Sequence, residues 1–78
     1  MNAVRIQRIL KDMTGVELAK AVKVDASYIS QVERYDTMGE YYAKRVAKAL
    51  GVKLEEIFEP AESTGRYRAK NVKITVDK

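Results

Sequence analysis

The 78-residue chain has no His and no Cys. Imidazole bases, thiolate nucleophiles, disulfides and the commonest soft metal ligands are therefore excluded. Asp, Glu, Lys and Tyr remain, but no two stand where the sequence specifies an acid/base pair or a metal site. No enzyme activity, cofactor or metal is expected. What remains is recognition by hydrogen bonding and charge. Small or polar residues gather at Ala26, Ser27, Ser30 and Gln31, and cations gather near the C-terminus. Residues 1–62 hold 10 Lys/Arg and 10 Asp/Glu, a net of zero; residues 63–78 hold Arg66, Arg68, Lys70, Lys73 and Lys78 against Asp77, or 5 − 1 = +4. The whole excess lies in the tail and is fitted to a polyanion. On charge alone, a solvated basic end is nearly as good an account.

The stretch Thr14 to Arg34, TGVELAKAVKVDASYISQVER, carries the first group. It reads as two short helices joined by a tight bend, the layout of a helix-turn-helix. Thr14 and Glu17 have the spacing of a capping box, so a helix starts at Gly15 with Leu18, Ala19 and Val22 inward. Asp25 is an N-cap for the next helix, its carboxylate placed to bond first-turn amides. Ile29 and Val32 face inward there, leaving Ala26, Ser27, Ser30 and Gln31 outward.

The flanking segments supply the support. From Asn2 to Asp12, Ile6, Ile9, Leu10 and Met13 mark an amphipathic helix with that stripe inward. A capping signature at Thr37-Met38-Gly39-Glu40 opens a fourth helix whose Ala43, Val46, Ala47 and Leu50 share a face, with Gly51 as its left-handed stop. Leu54, Ile57 and Phe58 suggest a short closing helix, ended by Pro60. Residues 1–60 are expected to form one domain and residues 61–78 a basic tail. Within the tail, Val72 to Val76 alternates at period two, the pattern of a strand. Such a strand needs a partner: either Arg66–Ala69 in a hairpin around Lys70-Asn71, or a second molecule through Val72, Ile74 and Val76. No apolar run approaches the ~18–20 residues of a membrane span, and a cytoplasmic location is expected.

Leu18-Ala19, Ile29, Val32-Glu33-Arg34 and Ala47 to Val52 with Leu54 to Phe58 make residues 2–59 resemble the DNA-binding domain of lambdoid phage repressors and Cro proteins, the XRE group. The resemblance implies a mainly α fold, a five-helix lambda-repressor-like domain, with the short β-strand or hairpin tail added. It also implies that the third helix enters the major groove with its N-terminal residues at base edges. Carried over, the base readers are Ala26, Ser27 and Gln31 with Ser30 beside them. Gln31 suits a bidentate adenine contact and Ala26 a thymine methyl. For Ser27 and Ser30, ordinary solvated helix surface is an equal alternative. Phosphate contacts fall to Thr14, the Gly15 amide, Thr37, Met38 and Tyr41, with Tyr28, Lys23 and Arg34 alongside. Arg8 and Glu33 occupy the group's forked ion-pair positions, which would set the third helix's angle.

Three departures weaken the group's usual grip. Gly15 stands where a Gln commonly opens the second helix, and Lys23 replaces the turn Gly, requiring a left-handed backbone at about 1 kcal/mol. Asp36 and Glu40 stand in a loop that is usually basic. The expected function is a sequence-specific regulator of transcription, a repressor in preference to an activator. It would act as a homodimer on a near-palindromic operator, with no membrane and no small-molecule ligand. The alternative is a helix-turn-helix module for protein contact, such as an antitoxin or antirepressor subunit.

Overall fold

A computed structural model describes residues 1–62 and 64–73. Its elements in chain order are α1 Ala3–Leu10, α2 Gly15–Val22, α3 Ala26–Val32, β1 Met38–Gly39, α4 Glu40–Leu50, α5 Leu54–Ile57, β2 Phe58–Pro60 and β3 Arg66–Ala69. The strands form an antiparallel sheet in the order β1-β3-β2, with Met38 opposite Tyr67 and Phe58 opposite Ala69. The fold is mainly α with a small C-terminal sheet, as expected. Among the described residues no helix is long and apolar enough to cross a membrane.

The α2/α3 unit forms for the local reasons its sequence carries. Thr14 Oγ1 accepts from the Glu17 amide at 3.1 Å, and the Glu17 carboxylate accepts from the Thr14 amide at 2.8 Å. Lys23 adopts the left-handed conformation, φ 67° and ψ 48°, so the turn keeps its shape despite the side chain. Leu18, Ala19, Val22, Ile29 and Val32 are buried. Ala19 presents only a methyl where the two helices meet. Asp25 does occupy the N-cap of α3, but its side chain makes no capping bond, contrary to expectation.

The first helix follows only half of its expected stripe: Ile6 is half-buried and Met13 packs against the core, but Ile9 and Leu10 do not turn inward. Ala3 and Val4 are buried, whereas Ile9 is 53% and Leu10 70% exposed. Asn2 explains the placement. Its Oδ1 accepts from the amides of Val4 and Arg5, while its Nδ2 donates to the Val32 carbonyl at 2.9 Å in the interior. One turn beyond Val4, Arg8 faces inward to Glu33. Periodicity counts apolar side chains and does not register an arginine that is drawn inward by a carboxylate.

The start of α4 also differs. Met38 and Gly39 belong to β1, Gly39 is the N-cap, and no side chain caps the helix. The Thr37 hydroxyl instead accepts from Arg66. At the other end Gly51 closes the helix at φ 70°, and Phe58 leaves α5 to begin β2.

The expected strand from Val72 to Val76 lies mostly outside the described residues, and the tail strand among them is Arg66–Ala69. Its neighbours are β1 and β2 of the same chain. Ala69 lies within the core. The Lys70 amide donates to the Ile57 carbonyl, and the Lys70 carbonyl accepts from Ala3, which ties this segment to both ends of residues 1–60. Val72 is 39% exposed; Ile74 and Val76, named for dimerisation, lie outside the described residues.

Candidate nucleic-acid interface

Burial of Ile29 and Val32 fixes the rotation of α3, and this sets which side chains it offers. Ala26, Ser27 and Gln31 are exposed and Ser30 is half-buried. These four lie along one side of the helix, above two hollows. One is lined by Lys23, Asp25, Ser27, Tyr28, Gln31 and Tyr42. The other runs between the start of α2 and α3 and includes Thr14, Gly15, Val16, Ala26 and Ser30, with Arg8 and Glu33 at its floor. The Gly15 position is open, with nothing within 4 Å of where a Cβ would stand.

The angle of α3 is held from behind. Arg8 Nε donates to Glu33 Oε2 at 2.8 Å and Nη2 to Glu33 Oε1 at 3.0 Å, while Nη1 donates to the Met13 carbonyl at 2.9 Å. The Glu33 hydrogen bond holds the Arg8 pKa above its ordinary value, burial opposing. This is the forked pair that the family resemblance implied. It ties α1, the start of α2 and the end of α3 together, and both guanidinium edges are used.

The residues named for phosphate contact divide into two sets. Thr14, Lys23, Arg34 and Tyr41 are exposed, and Gly15 and Thr37 are half-buried. Met38 is fully buried; its thioether fills the core beneath β1, so its side chain is removed from the surface, a correction to the expected role. Tyr28 is half-buried and its ring meets Tyr42 edge-on, the centroids 5.7 Å apart. Its hydroxyl accepts from the Gly39 amide at 3.4 Å, which makes it a strut between α3 and the start of α4. Tyr42 packs between Tyr28 and Tyr41. Tyr41 is 64% exposed beneath the Arg45 guanidinium, 5.4 Å from its ring centroid.

Sequence reasoning missed the tail's internal work. Arg66 donates to the Thr37 hydroxyl and carbonyl, Arg68 Nε to the Tyr35 carbonyl at 3.0 Å, and Lys70 Nζ to the Glu55 carbonyl. Cations read as grip for a polyanion are thus turned onto Thr37 and the backbone of residues before the tail. Asn2 and Arg45, whose Nε donates to the Val22 carbonyl at the end of α2, were missed too. Residue type alone carries no signal for such contacts, because any Arg can reach any carbonyl.

Among the described residues, no group of three or more Asp or Glu is placed to hold a metal. No curated protein and no solved structure matches the chain. Residues 4–57 match the family described as helix-turn-helix, a span that takes in α1 to α5 almost entire. With the α2/α3 unit, its exposed polar face and the Arg8 to Glu33 tie in place, the chain belongs to the Cro/C1-type (XRE) helix-turn-helix family and is a DNA-binding regulator.

Proposed function

We propose that the protein is a sequence-specific repressor that binds a near-palindromic operator as a homodimer, each α3 in the major groove and half-sites about 34 Å apart. The observation that carries this reading is the exposed row Ala26, Ser27 and Gln31 on a helix whose other side is locked by Ile29, Val32 and Glu33. Gln31 offers donor and acceptor together for an adenine edge, and Ala26 an apolar contact for a thymine methyl. Thr14, the Gly15 amide, Lys23, Arg34, Thr37 and Tyr41 surround that row and position the backbone. Repression follows from occupancy of the operator, in the compartment that holds the DNA. Selection of bound duplexes from random sequence, followed by Gln31→Ala on the selected site, is the test. Two half-sites one turn apart and a loss of about 1–3 kcal/mol confined to one base position are expected. Recovery of no preferred sequence would overturn the proposal.

A second reading is favoured by Ile9 and Leu10, adjacent and exposed on α1. Such a pair suits contact with another protein, as in an antitoxin or antirepressor subunit, with DNA binding secondary. Substituting Lys at both positions separates the readings, since operator binding by α3 would be untouched.

A further inference from the structure

The loop from Tyr35 to Thr37 joins the recognition helix to β1 and α4. It is short and bears Asp36, with Glu40 just beyond, so its own charge repels a DNA backbone. Tyr35 is strained, a non-glycine residue at φ 68°. Two arginines of β3, outside the span matched by the family, hold this loop. Arg68 Nε donates to the Tyr35 carbonyl. Arg66 Nε and Nη2 straddle Thr37 Oγ1 at 3.2 and 3.1 Å, and Nη2 also reaches the Thr37 carbonyl at 2.9 Å. Glu40 is partly offset by Lys44 at 3.6 Å and by the Tyr67 hydroxyl.

A guanidinium has donors only. Both of its contacts therefore fall on the lone-pair side of Thr37 Oγ1, and the hydroxyl proton must point away from Arg66. That hydroxyl donates to no protein group among the described residues. Thr37 is half-buried, so one side of it meets solvent. A hydroxyl held in one orientation, with a cation behind its oxygen, is a donor matched to an anionic acceptor.

We propose that Arg66 is a positioning residue that makes the Thr37 hydroxyl a committed donor to a non-bridging phosphate oxygen of the DNA backbone. The proposal rests on the DNA-binding reading above. Arg66 acts through Thr37, because its Nε and Nη2 are spent on that residue. The strand thereby replaces the grip that the acidic loop lacks.

The test uses the full chain and the duplex selected by it. Each backbone phosphate is replaced in turn by a neutral methylphosphonate, and binding is measured for the parent, Thr37→Val, Thr37→Ser, Arg66→Gln and Arg66→Lys. Among the phosphates whose neutralisation weakens the parent, one per half-site should cost about 10-fold through the Thr37 hydroxyl. Thr37→Val and Arg66→Gln should bind unmodified DNA about 10-fold more weakly and be indifferent at that phosphate, while Thr37→Ser keeps the parental pattern. Arg66→Lys preserves charge but cannot straddle the oxygen, and should behave like Arg66→Gln. Parental binding by Arg66→Lys, or retained sensitivity at that phosphate in Arg66→Gln, overturns the proposal. Should Arg66→Gln not fold, as judged by its thermal transition, Arg66→Lys decides by the same pattern, at the phosphate that Thr37→Val identifies. Failure of the DNA-binding reading would appear earlier, as the absence of any selected duplex.

Discussion

Arg8 and Glu33 meet along two parallel N–H···O contacts of 2.8 and 3.0 Å, with side chains only 16% and 12% exposed. The pair joins α1 to the residue that ends α3. Its geometry matters more than its charge, because a point-like ammonium cannot span both carboxylate oxygens. Arg8→Lys should therefore cost about 1–2 kcal/mol in urea unfolding. Glu33→Met, which leaves the Arg8 cation poorly paired, should cost more, about 2–4 kcal/mol. Double replacement by Met should cost less than the sum of the singles. Strict additivity in that cycle would remove the pair from the account of how α3 is held.

The two faces of α1 should respond in opposite ways to substitution. Val4 is fully buried, so Val4→Ala should lower stability by roughly 1–2 kcal/mol. Ile9→Lys and Leu10→Lys should each remain within about 0.5 kcal/mol, because those side chains are more than half exposed. Thermal unfolding of the three variants measures this directly. A large loss at Leu10 would show that the helix faces the way its apolar stripe points.

Lys23 separates stability from affinity. At φ 67° a side chain is strained, so Lys23→Gly should raise stability by about 0.5–1 kcal/mol, read as a higher melting temperature. The same change removes a cation beside α3. DNA affinity should fall, and the dependence of log K on log salt should flatten by about one. An unchanged salt slope would remove Lys23 from the phosphate contacts.

Acid should loosen the start of α2 through Glu17. Its pKa lies below its ordinary value, chiefly because its carboxylate accepts from the Thr14 amide and also because of the Thr14 hydroxyl. The depressed folded value means the carboxylate favours folding at any pH above the unfolded value of about 4.3. That contribution is lost as pH falls through the lower folded value. Glu17→Gln should remove this acid-dependent step, followed by the Thr14 amide shift in an NMR titration. Identical titration of that amide in both proteins would show that the capping box does not govern it.

Much of the binding unit was legible because it is local. The Thr14 to Glu17 box, the left-handed Gly51, and the buried Leu18, Ala19, Ile29 and Val32 all depend on residues within a few positions of one another. Even the long Arg8 to Glu33 tie was readable, though only through the resemblance to repressor domains. Burial on two faces of α3 then leaves the exposed row of Ala26, Ser27 and Gln31 with no freedom of rotation.

By itself, then, the amino-acid sequence determined the helices, the Thr14 to Glu17 cap of α2, the Gly51 stop of α4 and the polar face of the recognition helix, since i to i+4 contacts and the burial of apolar side chains are encoded within each segment. Tertiary structure alone decided where partners distant in sequence meet. It turned α1 so that Ile9 and Leu10 are exposed, drew Met38 into the core and placed Arg66–Ala69 between β1 and β2. It also aimed Arg66 and Arg68 at the loop after α3. A strand's pairing partner and an arginine's acceptor depend on which surfaces are already packed together, and no spacing along the chain records that.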